Sequence, residues 1–506
     1  MSGPEPAAER RTGVDRRRAT GLPRHGEDER RRQVEAPPAA AHEPGSLILD
    51  PNAPASLVGA VGDTVSGALH ETGKGFRSLL SISEFRLVWF SQIASQLADK
   101  FLVYSLLTVT YQRSGANTQE AVVLLAYTFP SVILSPIAGI FADRFDKRRL
   151  MTVTNLVRGG LILLVPASSL LPYFSHVTWH LLLITLLFSA VGQFFAPAEA
   201  SAMPFVVPRR LLITATSVFT LTIVATLVFG LPVSSILVRL FGPSSPYYVA
   251  AALFGLAALA NAAMRTRLAP AETPDDETPA AGRLARIYDE VTETLAFLRG
   301  RRDVLQAFGQ LGLAVMLIFT IFTLSQGYMK TVLHLDPRDS YLILVPAAIG
   351  MGLTAGYLGQ GHQGDRARML LAGLLGLGTL LLLMGLIPYL LAHQAGLVIP
   401  FAAIIGALFG GAFGLVFIPA VTLLQESTDE DQRGRIFGAM FTVLNLAIAI
   451  PLFLAGLAAD TFGLNFVVIF MGAILVFYAL VPVIVRRIRE DRVGRRGPPP
   501  GLPVQS

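Results

Sequence analysis

Only a few residues of this chain could do chemistry in an apolar setting, and they lie close together. Gln92, Ser95, Gln96 and Asp99 recur at i, i+3, i+4 and i+7, one face of a helix. Asp99 lies 13 residues beyond Arg86, roughly 20 Å along a helix at 1.5 Å per residue. An ionised carboxylate at that depth in hydrocarbon costs at least about 2.5–3.5 kcal/mol unless paired or wetted. One chemistry is reversible protonation, or attraction of a cation, in a water-filled cavity. The other is a structural ion pair with Lys100 or Arg158. The residues alone permit both. Gln193, Gln310 and Asn445, with Thr216, Ser217 and Thr220, are candidates to line the same cavity or to bond between helices. A second cluster runs from Gly139 to Arg149. Gly139 allows close helix packing, and Asp143 can meet the positive end of a facing helix. Arg144, Lys147 and Arg148 need an acid, for which Glu199 is available.

The elements that position these residues follow from composition. The chain has 506 residues, 52% hydrophobic and 15% charged, with a mean hydropathy of +0.55. An ordinary soluble domain carries about 25% charged residues, so water is not the solvent for most of this chain. That excludes a multi-domain soluble enzyme, a disordered chain and a fibre. There is no cysteine, hence no disulfide framework, thiolate metal site or thiol nucleophile. His-Glu-x-x-His, a phosphate-cradling Gly-rich loop with Lys, and Gly-x-Ser-x-Gly are all missing. No enzyme activity, cofactor or metal is expected, and without a nucleotide site any work must draw on a gradient.

From about Phe85 to Val485 the chain reads as twelve apolar blocks, each long enough to cross about 30 Å of hydrocarbon. The spacing predicts an all-α membrane protein: a six-helix bundle over 81–266, a linker over 267–302, and a second six-helix bundle over 303–488. Residues 1–80 read as a disordered tail, with spacing that permits an interfacial helix over 57–80, and 489–506 as a second disordered tail. Counted over the joints, seventeen Lys or Arg fall on one side and four on the other. The rich side is cytoplasmic, placing both termini in the cytoplasm of a multi-pass cell-membrane protein. The net charge of +6 is therefore an orientation signal, and nucleic-acid binding is not expected.

The halves repeat. Phe195-Ala196-Pro197-Ala198 and Phe241-Gly242 in the first answer Phe417-Ile418-Pro419-Ala420 and Phe462-Gly463 in the second. Asp146-Lys147-Arg148-Arg149 answers Asp365-Arg366-Ala367-Arg368, while His362 and Gln363 stand where Asp143 and Arg144 would fall. Two six-span repeats about a midplane site are the layout of secondary transporters.

With Gly139, Ala142, Asp143, Arg144 and the Lys147/Arg148 pair in place, the joint resembles the G-x-L-A-D-R-x-G-R-K signature of the major facilitator superfamily. Phe141 and Asp146 depart from it. Phe85-Arg86-Leu87-Val88-Trp89, Met203-Pro204-Phe205-Val206-Val207-Pro208 and Gly434-Arg435-Ile436-Phe437-Gly438 make the chain similar to the drug:proton antiporter-3 branch, with its macrolide efflux and enterobactin exporter members. The resemblance implies alternating access, with Gly139, Asp143, Arg144, Lys147, Arg148 and Glu199 forming a gate that latches the outward-facing state. It implies proton-coupled efflux of a small amphipathic compound, drug-like or siderophore-like, by a monomer whose partners are substrate, protons and lipid. Gly230-Leu231-Pro232 resembles, in degenerate form, the Gly-Pro motif of antiporters. Two alternatives stand beside this: a lysophospholipid flippase of the same fold, and a non-transporting sensor or scaffold.

Overall fold

The computed structural model describes residues 76–175, 177–266, 268, 302–360, 366–390, 395–426 and 449–495. The interfacial helix expected over 57–80 falls almost wholly outside them, as do most of the 267–302 linker, Asn445 and the C-terminal end of the chain; the side chain of Asp143 is also outside.

Within these residues every long element is helical, as backbone in hydrocarbon must be to satisfy its own polar groups. The helices are α1 (Ser83–Ser114), α2 (Asn117–Arg144), α3 (Lys147–Ser168), α4 (Trp179–Gly192), α5 (Phe195–Val206), α6 (Leu212–Phe241), α7 (Ser245–Ala263), α8 (Arg302–Thr331), α9 (Tyr341–Gly359), α10 (Arg366–Leu390) and α11 (Ala395–Glu426). After them come α12 (Ala449–Phe462) and α13 (Leu464–Arg495). Among the described residues nine segments are long and apolar enough to cross a membrane, α4 and α5 together forming one of them.

The repeated motifs have clear local causes. Gly242 and Gly463, each following a Phe, adopt φ of 93° and 88°. In that left-handed region a Cβ is disfavoured. Their amides bond back to the carbonyls of Val238 and Ala459 at 3.0 and 3.1 Å, ending α6 and α12 alike. The Asp146 carboxylate accepts the Arg149 amide at 3.0 Å and so caps α3. The repeat is inexact at the other motif: the chain breaks at Gln193–Phe194 before Pro197, whereas α11 runs unbroken through Pro419.

One core is built from α8 to α13 around Leu377, Leu381 and Val416. Two others lie among α1 to α7, one around Phe85, Met151 and Ala198, the other around Leu102, Phe188 and Phe254. A fourth, containing Tyr104, Leu107, Leu124, Phe322 and Leu452, is shared by both sets. It lies toward the far end, opposite the basic joints that hold Lys147 and Arg209.

Small residues let the helices of the second set touch backbone to backbone, the packing that lipid favours. A Cβ on Gly350 would run into the Ala407 carbonyl oxygen, and one on Gly410 into that of Ala347. A Cβ on Gly406 would meet the Ile343 carbonyl oxygen at 2.9 Å, and Thr354 donates to the Gly411 carbonyl at 3.2 Å. The pairing 343–406, 347–410 and 354–411 runs in one direction, so α9 and α11 are parallel. Gly350→Ala or Gly410→Ala should therefore lower the thermal midpoint, by the about 1–3 kcal/mol typical of overpacking. Gly352→Ala, with nothing within 4 Å of its Cβ position, should leave the midpoint unchanged.

Candidate functional site

Asp99 sits midway along α1, where its neighbours come from helices that only the fold brings near. Its carboxylate is ion-paired with Arg158 of α3. Arg158 is buried, and its guanidinium carbon lies 4.4 Å from the ring centres of both Phe188 on α4 and Phe254 on α7. Rings so placed attract the cation through their quadrupoles. Gly192 completes the slot: a Cβ there would approach the guanidinium to 3.3 Å. The arrangement holds a charge pair inside the bundle with one partner, Arg158, fixed from three sides. Asp99, 13% exposed, keeps some access to space outside the core.

The remaining candidates distribute around this pair. Gln92 and Ser95 are buried; Gln92 Nε2 reaches the Phe219 carbonyl of α6 at 3.5 Å, and Ser95 donates to the Gln92 carbonyl at 3.1 Å. Gln96 and Lys100 are half-buried. The Lys100 stem packs where α6 presents Gly230, at 2.7 Å from a Cβ position there. That contact gives Gly230-Leu231-Pro232 a packing reason. Gln193 donates to the Ser189 carbonyl at 3.2 Å, and Ser189 in turn donates to the Tyr127 carbonyl of α2. This chain of bonds links α2 and α4 beside the Asp99–Arg158 pair. Gln310 is half-buried on α8.

At the basic end, Lys147 and Arg148 have partners other than Glu199. Lys147 is buried with its Nζ 5.4 Å from the Phe205 ring centre, and Arg148 donates to the Ala262 carbonyl. Neither meets Glu199, which is buried on α5 with Oε1 unpartnered. Arg144 is exposed. Among the described residues nothing lies within 4 Å of a Cβ position on Gly139. In this arrangement the basic residues anchor α3 to α5 and α7 within one bundle.

Sequence reasoning passed over a polar group at the far end. Glu120 is fully buried and Gln326 is buried, and among the described residues neither Glu120 oxygen nor Gln326 Oε1 has a partner, while Asp460 bonds to Asn117 and Thr118. The signal available was positional: Asn117 to Glu120 opens a helix directly after Gly115, whose φ of 66° ends α1.

The sequence profile of the Major Facilitator Superfamily matches residues 88–452, with a second match over 364–504. The chain belongs to the major facilitator superfamily. Among curated relatives, the MFS-type transporter YfiS of Bacillus subtilis (strain 168) is 26% identical over 84% of this chain and 96% of its own length. The multidrug efflux pump Tap of Mycolicibacterium fortuitum is 22% identical over 80% and 96%. Macrolide efflux protein A of Streptococcus pyogenes is 24% identical over 80% and 97%. Among solved structures, the nucleoside transporter NupG superposes with a TM-score of 0.57 at 13% identity, over 79% of this chain and 99% of its own. The POT family transporter PepTSo gives 0.56 at 14%, over 80% and 98%. These structural likenesses are of fold.

Removing one member of the buried pair strands the other, which typically costs about 3–5 kcal/mol, whereas removing both does not. Asp99→Ala and Arg158→Met should each lower the unfolding midpoint, and the double variant should recover much of the loss. A double-mutant cycle in detergent checks this; additive losses would show that the pair carries no coupling.

Proposed function

We propose that this major facilitator protein is a proton-coupled exporter of a small amphipathic compound, working by alternating access. The observation that carries the reading is Asp99, a mid-helix carboxylate whose charge is held by a caged arginine. Protonation removes the attraction to Arg158, so proton binding and a change in α1–α3 packing become one event. The efflux names of Tap and macrolide efflux protein A, matched over nearly their full lengths, support export as the direction.

In this reading twelve spans cross the membrane, with bundles over 81–266 and 303–488 and both termini cytoplasmic, which makes the basic end the inner one. The protein is a monomer in a bacterial cell membrane, and neither nucleic acid nor a cofactor takes part. Core packing shared by the two bundles at the far end fits a state closed to the outside. The gate residues Asp143, Arg144, Lys147, Arg148 and Glu199 would then engage in the opposite state. Gln92, Ser95, Gln96, Gln193, Gln310 and Asn445 line or border the path, and Lys100 packs α1 against α6.

The lipid-flipping reading has one observation in its favour, an apolar cleft of about 500 Å³ between α2 and α4, lined by Leu125, Ala126, Phe129, Leu182 and Leu186.

Everted vesicles decide between these. Substrate uptake into them should require an inside-acid gradient and collapse with an uncoupler. Asp99→Asn, which keeps an acceptor for Arg158 but never ionises, should abolish the gradient dependence. Coupled transport surviving in that variant would remove Asp99 from the mechanism. Lysolipid movement independent of the gradient would favour flipping.

A further inference from the structure

A second set of titratable groups ties the two bundles together at the far end. The Asp460 carboxylate, in the last turn of α12, takes four hydrogen bonds from the start of α2. Asn117 donates to Oδ1 through its amide at 2.9 Å and its side chain at 2.8 Å. Thr118 donates to Oδ2 through its amide at 2.8 Å and its hydroxyl at 2.5 Å. The carboxylate thus fills the amino end of α2, where free amides and the helix dipole favour an anion. Close approach is built in. A Cβ on Gly456 would meet the Asn117 carbonyl oxygen at 3.0 Å, and one on Gly327 would strike the Asn117 side chain.

Glu120 stands in that same first turn of α2. It is fully buried, and neither carboxyl oxygen has a partner among the described residues. It lies near enough to Asp460 for the charge of one to act on the other. Other titratable groups at this end among the described residues include Tyr111 and Arg113 on α1, His180 on α4, Lys330 on α8, and Arg239 of α6 paired with Asp339 just before α9. Lys330 Nζ lies 5.9 Å from the Tyr111 ring centre. Arg113 is engaged with the Phe174 carbonyl at 2.9 Å and with His180 at 3.3 Å. Among the described residues no cation forms an ion pair with Glu120.

A carboxyl buried without a hydrogen-bond donor is disfavoured as the anion, the more so with another negative charge near it. Asp460 is exposed and has four donors to hold its charge, while Glu120 has none among the described residues, so Glu120 is the group that keeps a proton. Losing it would set an unsolvated charge beside Asp460, and the relief available is separation of α2 from α12 with entry of water. We propose that Glu120 is a proton-binding site governing closure of the far end. Protonated, it lets Asp460 grip α2; ionised, it drives α2 and α12 apart. The inference rests on the proton-coupled reading above and adds sidedness to it: a proton arriving from outside closes the outer face and returns the exporter toward the cytoplasm.

The chain has no cysteine, so spin labels can be placed without removing any native thiol. Gln112→Cys and Phe462→Cys mark exposed far-end positions of α1 and α12. With full-length protein in lipid nanodiscs, pulsed dipolar spectroscopy reads their separation from about pH 5 to about pH 9, a range spanning ordinary and buried glutamates. A short separation should dominate in acid and give way to a longer one in alkali. Glu120→Gln should keep the short separation throughout, Glu120→Asp should retain the pH response, and Asp460→Asn should lengthen the separation even in acid. Asp99→Asn should still respond to pH. The inference fails if Glu120→Gln follows the parent curve, or if the parent does not respond. An intact distance response without counter-transport in vesicles would instead overturn the exporter reading alone.

Discussion

Hydrocarbon offers a charge no partner, so any charge kept inside the bundle dictates how its neighbours pack. Here that constraint falls on Asp99 and Arg158. Their pairing holds α1 to α3, and the rings that flank the guanidinium bring in α4 and α7. Gly192 must stay small to leave it room. Four helices of the first bundle therefore meet around one ion pair. Such a pair is seldom a net source of stability over an apolar equivalent, because both charges are taken out of water. What it supplies is a discrete packing arrangement of α1, α3, α4 and α7. In the proton-coupled reading proposed above, a neutral Asp99 would leave Arg158 caged but uncompensated, and the α1–α3 contact would be where the proton acts.

The helices were legible in the sequence because lipid imposes a single period and length, and the ends of α6 and α12 because only glycine suits the turn that Gly242 and Gly463 make. The partner of Asp99 was legible only as a choice between Lys100 and Arg158. Lys100 adjoins Asp99 in sequence but projects toward Gly230 on α6, and the aromatic slot that selects Arg158 draws residues from three separate helices. The basic joint shows the opposite limit. Its charges announce which end they occupy, but their partners, the Phe205 ring and the Ala262 carbonyl, carry no charge pattern that sequence could match to them. Glu120 and Asp460 escaped notice for a related reason. Each stands at a helix end, where acids are ordinary, and only the contact between bundles makes them unusual.

That contact has a counterpart, and the comparison bears on which tie controls opening. Arg239 precedes Phe241-Gly242 by the same interval that Asp460 precedes Phe462-Gly463. Arg239, at the end of α6, reaches Asp339 just before α9 at 3.0 Å. Asp460, at the end of α12, reaches the start of α2. Each bundle thus extends the end of one repeated helix to the beginning of the other bundle's equivalent helix. The chemistry is unequal. The Arg239 side chain is 51% exposed, and ion pairs in such settings are worth about 0–1 kcal/mol. Asp460 instead holds four hydrogen bonds, each strengthened by its charge, with Glu120 buried alongside. The Arg239 tie can therefore exchange for water with little cost. The Asp460 carboxylate is exposed too, but with four hydrogen bonds its tie separates readily only when something raises the energy of the closed arrangement. A charge appearing on Glu120 does that from within, which is why the repeat's symmetry at this end is better understood as one permissive contact and one controlling contact than as two equivalent latches.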